Sequence, residues 1–153
     1  MRLIKRVGLA VMLLLPVSLL AQKDKKDSLR LTCPFDHGTG REPKEAFSWE
    51  PKDLKVIMIS NADSIARSCI NGTVSNVNPA EDGGYEIVIY CKNYYFWYYG
   101  VEKPLVKKND NVSARQAIAT YKKGSELEFR MFKDEKPLDP REMLECKIVK
   151  AND

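Results

Sequence analysis

From Leu54 onward the chain is a succession of short segments rich in Val, Ile, Tyr and Phe, separated by clusters of turn-forming residues. This pattern constrains the fold more than any other feature of the 153 residues. LKVIMIS (54–60), DSIARSC (63–69), GTVSNV (72–77), YEIVIYC (85–91), YYFWYY (94–99), RQAIATY (115–121), ELEFRMF (126–132) and ECKIVK (145–150) are each of strand length. Asn71-Gly72, Asp82-Gly83-Gly84 and Lys123-Gly124 punctuate them with residues that turn easily. No stretch sustains a period of 3.6 with caps, apart from a short helix expected over Pro140–Glu145, where Pro140 stands at a first helical position behind Asp139. So many short strands in sequence predict an all-β fold over residues 53–153, a twisted antiparallel sheet in the manner of a sandwich or half-barrel.

The segment before it reads differently. Arg2, Lys5 and Arg6 precede an apolar run from Val7 to Leu20, interrupted by Gly8, Pro16 and Ser18 and closed by Ala21-Gln22, which predicts a cleavable signal peptide over residues 1–21. The run is shorter than the ~20 residues a membrane span needs, so no membrane span is expected after cleavage, and the mature protein is expected to be exported to the periplasm or cell surface. Residues 22–52 read as a lead-in. QKDKKDSLR (22–30) is too polar to offset the entropy of ordering, and Cys33 to Pro51 suits an irregular strip held on a core by Phe35, Phe47 and Trp49. Removing the leader's three cations leaves 22 basic against 21 acidic residues, and a chain so balanced has no electrostatic footprint for nucleic acid.

Export permits disulfides among Cys33, Cys69, Cys91 and Cys146, which allow three pairings. Cys69 and Cys91 fall on what should be neighbouring strands, since setting Val74 opposite Tyr85 brings Cys69 opposite Tyr90. A Cys69–Cys91 bridge across a bulge is therefore favoured, with Cys33–Cys146 tying the lead-in to the last strand; the alternative is that Cys69 and Cys91 are buried thiols. The only histidine, His37, offers with Cys33 at most two of the four ligands of a structural zinc site.

DSIARSCINGTV, EIVIYC, VKKNDNVSARQAIA, GSELEFRMF and KPLDPREML resemble, in order and spacing, the motifs of lysostaphin/LytM-type zinc endopeptidases. The resemblance covers Asp53 to Leu144 and implies the twisted antiparallel sheet of the duplicated hybrid motif. Asn71-Gly72 stands at its D-G turn; Asp110, Val112, Gln116 and Ile118 match its V-x-x-G-D-x-V-x-x-G-Q-x-I-G stretch; Gly124 to Arg130 resembles its G-x-H-L-H-F-E segment. The zinc ligands do not carry over. By the family's spacing the His and Asp of H-x-G-x-D fall at Asp53 and Ile57, the His of the Tyr-x-His strand at Gly100, and the H-x-H pair at Glu126 and Glu128. Zinc hydrolysis requires three protein ligands and an open position, so the resemblance implies a scaffold that has lost its enzyme and needs no cofactor. Asp53, Glu126 and Glu128 would at most supply oxygens to Ca²⁺ or Mg²⁺, against the plainer reading of an alternating charged strand facing solvent.

Tyr94-Tyr95-Phe96-Trp97-Tyr98-Tyr99 must divide its rings between the two faces of a strand. The resemblance assigns Phe96 and Tyr98, in phase with Gly100, to the old substrate groove. There they would stack on sugar or peptide while Glu126, Glu128 and Arg130 supply polar contacts; core packing is the competing reading. The resulting expectation is an exported, inactive LytM-like domain that binds peptidoglycan or a cell-wall hydrolase. The alternatives are a structural subunit of an envelope assembly or a hydrolase with altered metal chemistry.

Overall fold

The computed structural model describes residues 29–44 and 53–150. The leader and the anchors Phe47 and Trp49 lie outside the described residues. The strands are β1 (Thr39–Arg41), β2 (Lys55–Ile59), β3 (Ile65–Arg67), β4 (Gly72–Pro79), β5 (Tyr85–Cys91), β6 (Tyr94–Val101), β7 (Lys103–Pro104), β8 (Asn111–Val112), β9 (Ala117–Thr120), β10 (Leu127–Lys133), β11 (Lys136–Leu138) and β12 (Lys147–Val149). The eight segments read from sequence appear as β2 to β6, β9, β10 and β12. The expected helix contracts to a 3-10 turn, Pro140–Glu142, capped by the Asp139 side chain.

Nine strands form one open sheet in the order β12-β1-β2-β10-β6-β5-β4-β8, with β11 hairpinned onto β10; β3, β9 and β7 form a second, small sheet. Every pairing is antiparallel except β1 with β12, so the large sheet is mixed rather than purely antiparallel.

Alternation decides which face is which. Val56 and Met58 of β2, Leu127, Phe129 and Met131 of β10, Phe96 and Tyr98 of β6, and Ile87 and Ile89 of β5 are fully buried and join one core with Ala66, Ile118 and Ala119 of the small sheet. Burying side chains of this size is worth roughly 1.5–3 kcal/mol each, which is why the register cannot slip. Phe35 lies in the same core, its ring 4.4 Å from that of Tyr121.

Residues 29–44, which fall within the lead-in expected over 22–52, are joined to the body of the fold by more than side-chain anchors. Leu31 is 0% exposed, its N–H donates to Met143 O at 2.9 Å and its carbonyl accepts from Glu145 N–H at 2.8 Å, and β1 is an inner strand of the large sheet. The Cys33–Cys146 disulfide closes the same junction. The expected Cys69–Cys91 bridge is absent, and both thiols are free. β4 and β5 pair Val74 with Ile89 rather than with Tyr85, with a bulge between Val74 and Asn76. Cys69 therefore precedes the ladder instead of lying across it from Cys91. With Cys33 in a disulfide, zinc at Cys33 and His37 is excluded.

Candidate functional site

The face of the large sheet turned away from the core carries the opposite set of side chains. Register places Glu128 between Ile57 of β2 and Tyr99 of β6, Arg130 between Lys55 and Trp97, and Phe132 beside Tyr95. Directly opposed residues share a face, so the positions that the resemblance assigns to a metal site and the outward rings of the aromatic strand form one continuous surface.

This reverses the expected phase of the aromatic strand. Phe96 and Tyr98 are 0% exposed. Phe96 stacks near Phe129 and Tyr98 meets Phe129 edge-on, and the Tyr98 hydroxyl accepts from the Cys69 backbone N–H at 2.8 Å. Neither ring can meet a ligand. Tyr95 and Trp97, each 36% exposed, and Tyr99 occupy the open face. The cause of the error is a bulge: β6 pairs Val101 with Tyr85 and Tyr99 with Glu86, leaving Gly100 as an extra residue that shifts the alternation. Gly100 has φ of 89°, and a Cβ there would lie 2.9 Å from the Glu126 carbonyl oxygen. The position that should carry a histidine is one where any side chain would be held at positive φ and would have to push the Glu126 backbone aside.

The carboxylates of the site are all paired within the chain. Lys55 Nζ lies 3.0 Å from Asp53 Oδ2 and 2.9 Å from Glu128 Oε2; Arg130 Nε contacts Glu128 Oε1 at 2.5 Å and its Nη1 lies 3.5 Å from Asp53 Oδ1. Burial works to lower the Lys55 pKa, but hydrogen bonds to Glu128 and Asp53 outweigh it and hold the ammonium above its ordinary value. Lys55 therefore remains a cation throughout the physiological range. Glu126 turns instead to Arg41 of β1, with which it forms an ion pair.

These residues do not fit zinc. Ile57 offers no donor, Gly100 has no side chain, and the two nearest carboxylates have their charge met by Lys55 and Arg130, so a divalent cation would have to displace tethered cations and would find neither imidazole nor thiolate. They do not make one oxygen cage either, since Glu126 is drawn to β1 while Asp53 and Glu128 face Lys55. Among the described residues no group of three His, Cys, Asp or Glu side chains is placed to hold a metal. Lys55 and Arg41 were missed in the sequence; the available signal was that Asp53, Lys55 and Ile57 alternate onto one face of a strand, so that Lys55 had to neighbour any metal held there.

Beside the ionic cluster, the same face holds a pocket of about 520 Å³ lined by Tyr95, Trp97 and Phe132 together with Asn76, Lys108 and Glu135. The Trp97 and Phe132 rings are 5.6 Å apart, and Tyr95 lies 4.9 Å from Tyr90.

An open sheet with this strand order and these motifs defines a LytM-type, or M23 peptidase, fold. Solved structures agree. Helicobacter pylori Csd3 superposes with a TM-score of 0.65 at 18% identity, over 82% of this chain and 37% of that one; this chain thus spans little more than a third of Csd3. A structure of the SpoIIQ–SpoIIIAH pore forming complex matches with a TM-score of 0.60 at 13% identity over 76% of this chain and 92% of that one. The catalytic domain of the prophage-encoded M23 protein EnpA from Enterococcus faecalis matches at 0.58 and 15% identity, over 72% and 95%. No protein-family model and no curated protein matches the sequence.

Proposed function

We propose that this chain is an exported LytM-fold domain without peptidase activity, which binds cell-wall peptidoglycan through the open face of its large sheet. The observation that carries the reading is the pairing of Asp53 and Glu128 with Lys55 and Arg130: where the resemblance calls for metal ligands, the chain supplies its own cations. With the water-activating centre gone, the face retains exposed aromatic rings and a pocket, the ordinary equipment of recognition. The signal-peptide reading of residues 1–21 supports export, and no helix among the described residues is long and apolar enough to cross a membrane.

The test is co-sedimentation of residues 22–153 with purified peptidoglycan sacculi across a salt series, with the supernatant analysed for soluble fragments. Binding without fragment release is expected. Release that stops on adding a chelator would overturn the reading.

A second reading, a subunit of an envelope assembly, draws on the likeness to the SpoIIQ–SpoIIIAH complex structure, almost all of whose matched chain is covered. It would be favoured by absence of sacculus binding together with a defined oligomer in sedimentation velocity.

A further inference from the structure

The open face divides into two halves of different character. In one, Asp53, Lys55, Glu128 and Arg130 satisfy one another. In the other, the pocket is lined by Trp97, Asn76, Lys108 and Glu135, whose side-chain polar groups make no hydrogen bond or ion pair to any described residue. Glu135 is set at the rim by the tight β10–β11 hairpin, in which Asp134 and Glu135 both adopt positive φ, 46° and 64°, as a two-residue turn of the right twist requires. Neither turn residue is a glycine, so the hairpin accepts backbone strain while carrying a carboxylate to the pocket.

We propose that this pocket is a saccharide site that takes a pyranose ring of a glycan strand. The inference deepens the wall-binding reading and rests on it for the source of the glycan. Its volume lies within the range of pockets that enclose a small ligand, roughly 300–1,000 Å³. A pyranose presents an apolar C–H face to the electron-rich face of an aromatic ring, which Trp97 provides with Phe132 beside it. Its hydroxyls both donate and accept, so one ring can donate to Glu135 and accept from Lys108 and the indole N–H. A peptide is a poorer match. The backbone groups of β5, β6 and β10 are engaged in the ladder, and an extended peptide laid on that face would bury its own N–H and C=O groups without partners.

The experiment titrates the mature chain with a tetramer of N-acetylglucosamine and with peptide-free glycan strands, followed by calorimetry, alongside sacculus co-sedimentation. Saturable binding of both probes is expected, weakened at least tenfold by Trp97→Ala and by Glu135→Gln and unchanged by Leu105→Ser, a substitution at an exposed residue that does not line the pocket. A melting curve on each variant checks that it folds, and Glu135→Gln preserves shape should Trp97→Ala fail that check. Sacculus binding without affinity for either saccharide probe would overturn the saccharide site while leaving wall binding standing. Saccharide binding indifferent to both pocket substitutions would also overturn it. Saccharide binding at the pocket by a protein that ignores intact sacculi would support the site and remove the wall-binding reading.

Discussion

Tyr98 shows how a residue that looks available for function can be spent on structure. Its ring is in the core and its hydroxyl satisfies the Cys69 N–H, so Tyr98→Phe is expected to cost about 1–3 kcal/mol in chemical denaturation through the orphaned donor, with no effect on ligand binding. Cys69 itself is sealed, and burial pushes its thiol up to about 12. A thiol reagent should therefore label half-buried Cys91 in the native protein and reach Cys69 only on unfolding. The same shift has a pH consequence. The folded state keeps the proton that the unfolded thiol releases near its ordinary value of 9.0, so stability is full below that pH and declines as pH rises toward about 12. Cys69→Ala is expected to flatten that part of the profile, read as melting temperature against pH relative to the unsubstituted protein.

At the scale of elements, strand identity was legible and strand phase was not. β2, β4, β5, β6 and β10 could be read from alternation and turns because burial of one face enforces a period of two. The bulge at Gly100 could not, because one extra residue leaves composition untouched while reversing which rings face out; the site residues Phe96 and Tyr98 were misplaced for that reason alone. Gly100→Ala is expected to destabilise by about 1–2 kcal/mol, the cost of a side chain at positive φ, seen as a lowered denaturation midpoint. β7, β8 and β11, of two or three residues, stand outside any longer alternating segment and carry too little pattern to be read, whereas the equally short β3 and β12 sit inside one. β1 was hidden because its stability comes from partners on both sides, β2 and β12, rather than from its own three residues Thr-Gly-Arg.

For the whole molecule, the two ends of the described chain meet. β1 lies between β2 and β12, Leu31 bridges to Leu144, Arg141 reaches Glu42 at 2.9 Å, and Cys33–Cys146 closes a span of 113 residues. Closing so long a loop restricts the unfolded chain, and its reduction is expected to cost about 2–5 kcal/mol, measured by denaturation with and without reductant. The pairing was open in the sequence, where four cysteines allow three connectivities, and the strap of β1 against β12 selects it. The fold was legible through motif order, whereas the candidate site was legible only in the residues that stand where the resemblance would put histidines. The sequence lacks the histidines, but the contacts of Lys55 and Arg130 with Asp53 and Glu128 depend on β2 and β10 being neighbours across more than seventy residues of chain. Equilibrium dialysis of the mature protein against zinc, followed by elemental analysis, tests most directly whether those tethered cations have replaced a metal. Substoichiometric zinc, unchanged by Glu128→Ala, is the expected result; one zinc per chain, lost in Glu128→Ala, would contradict it.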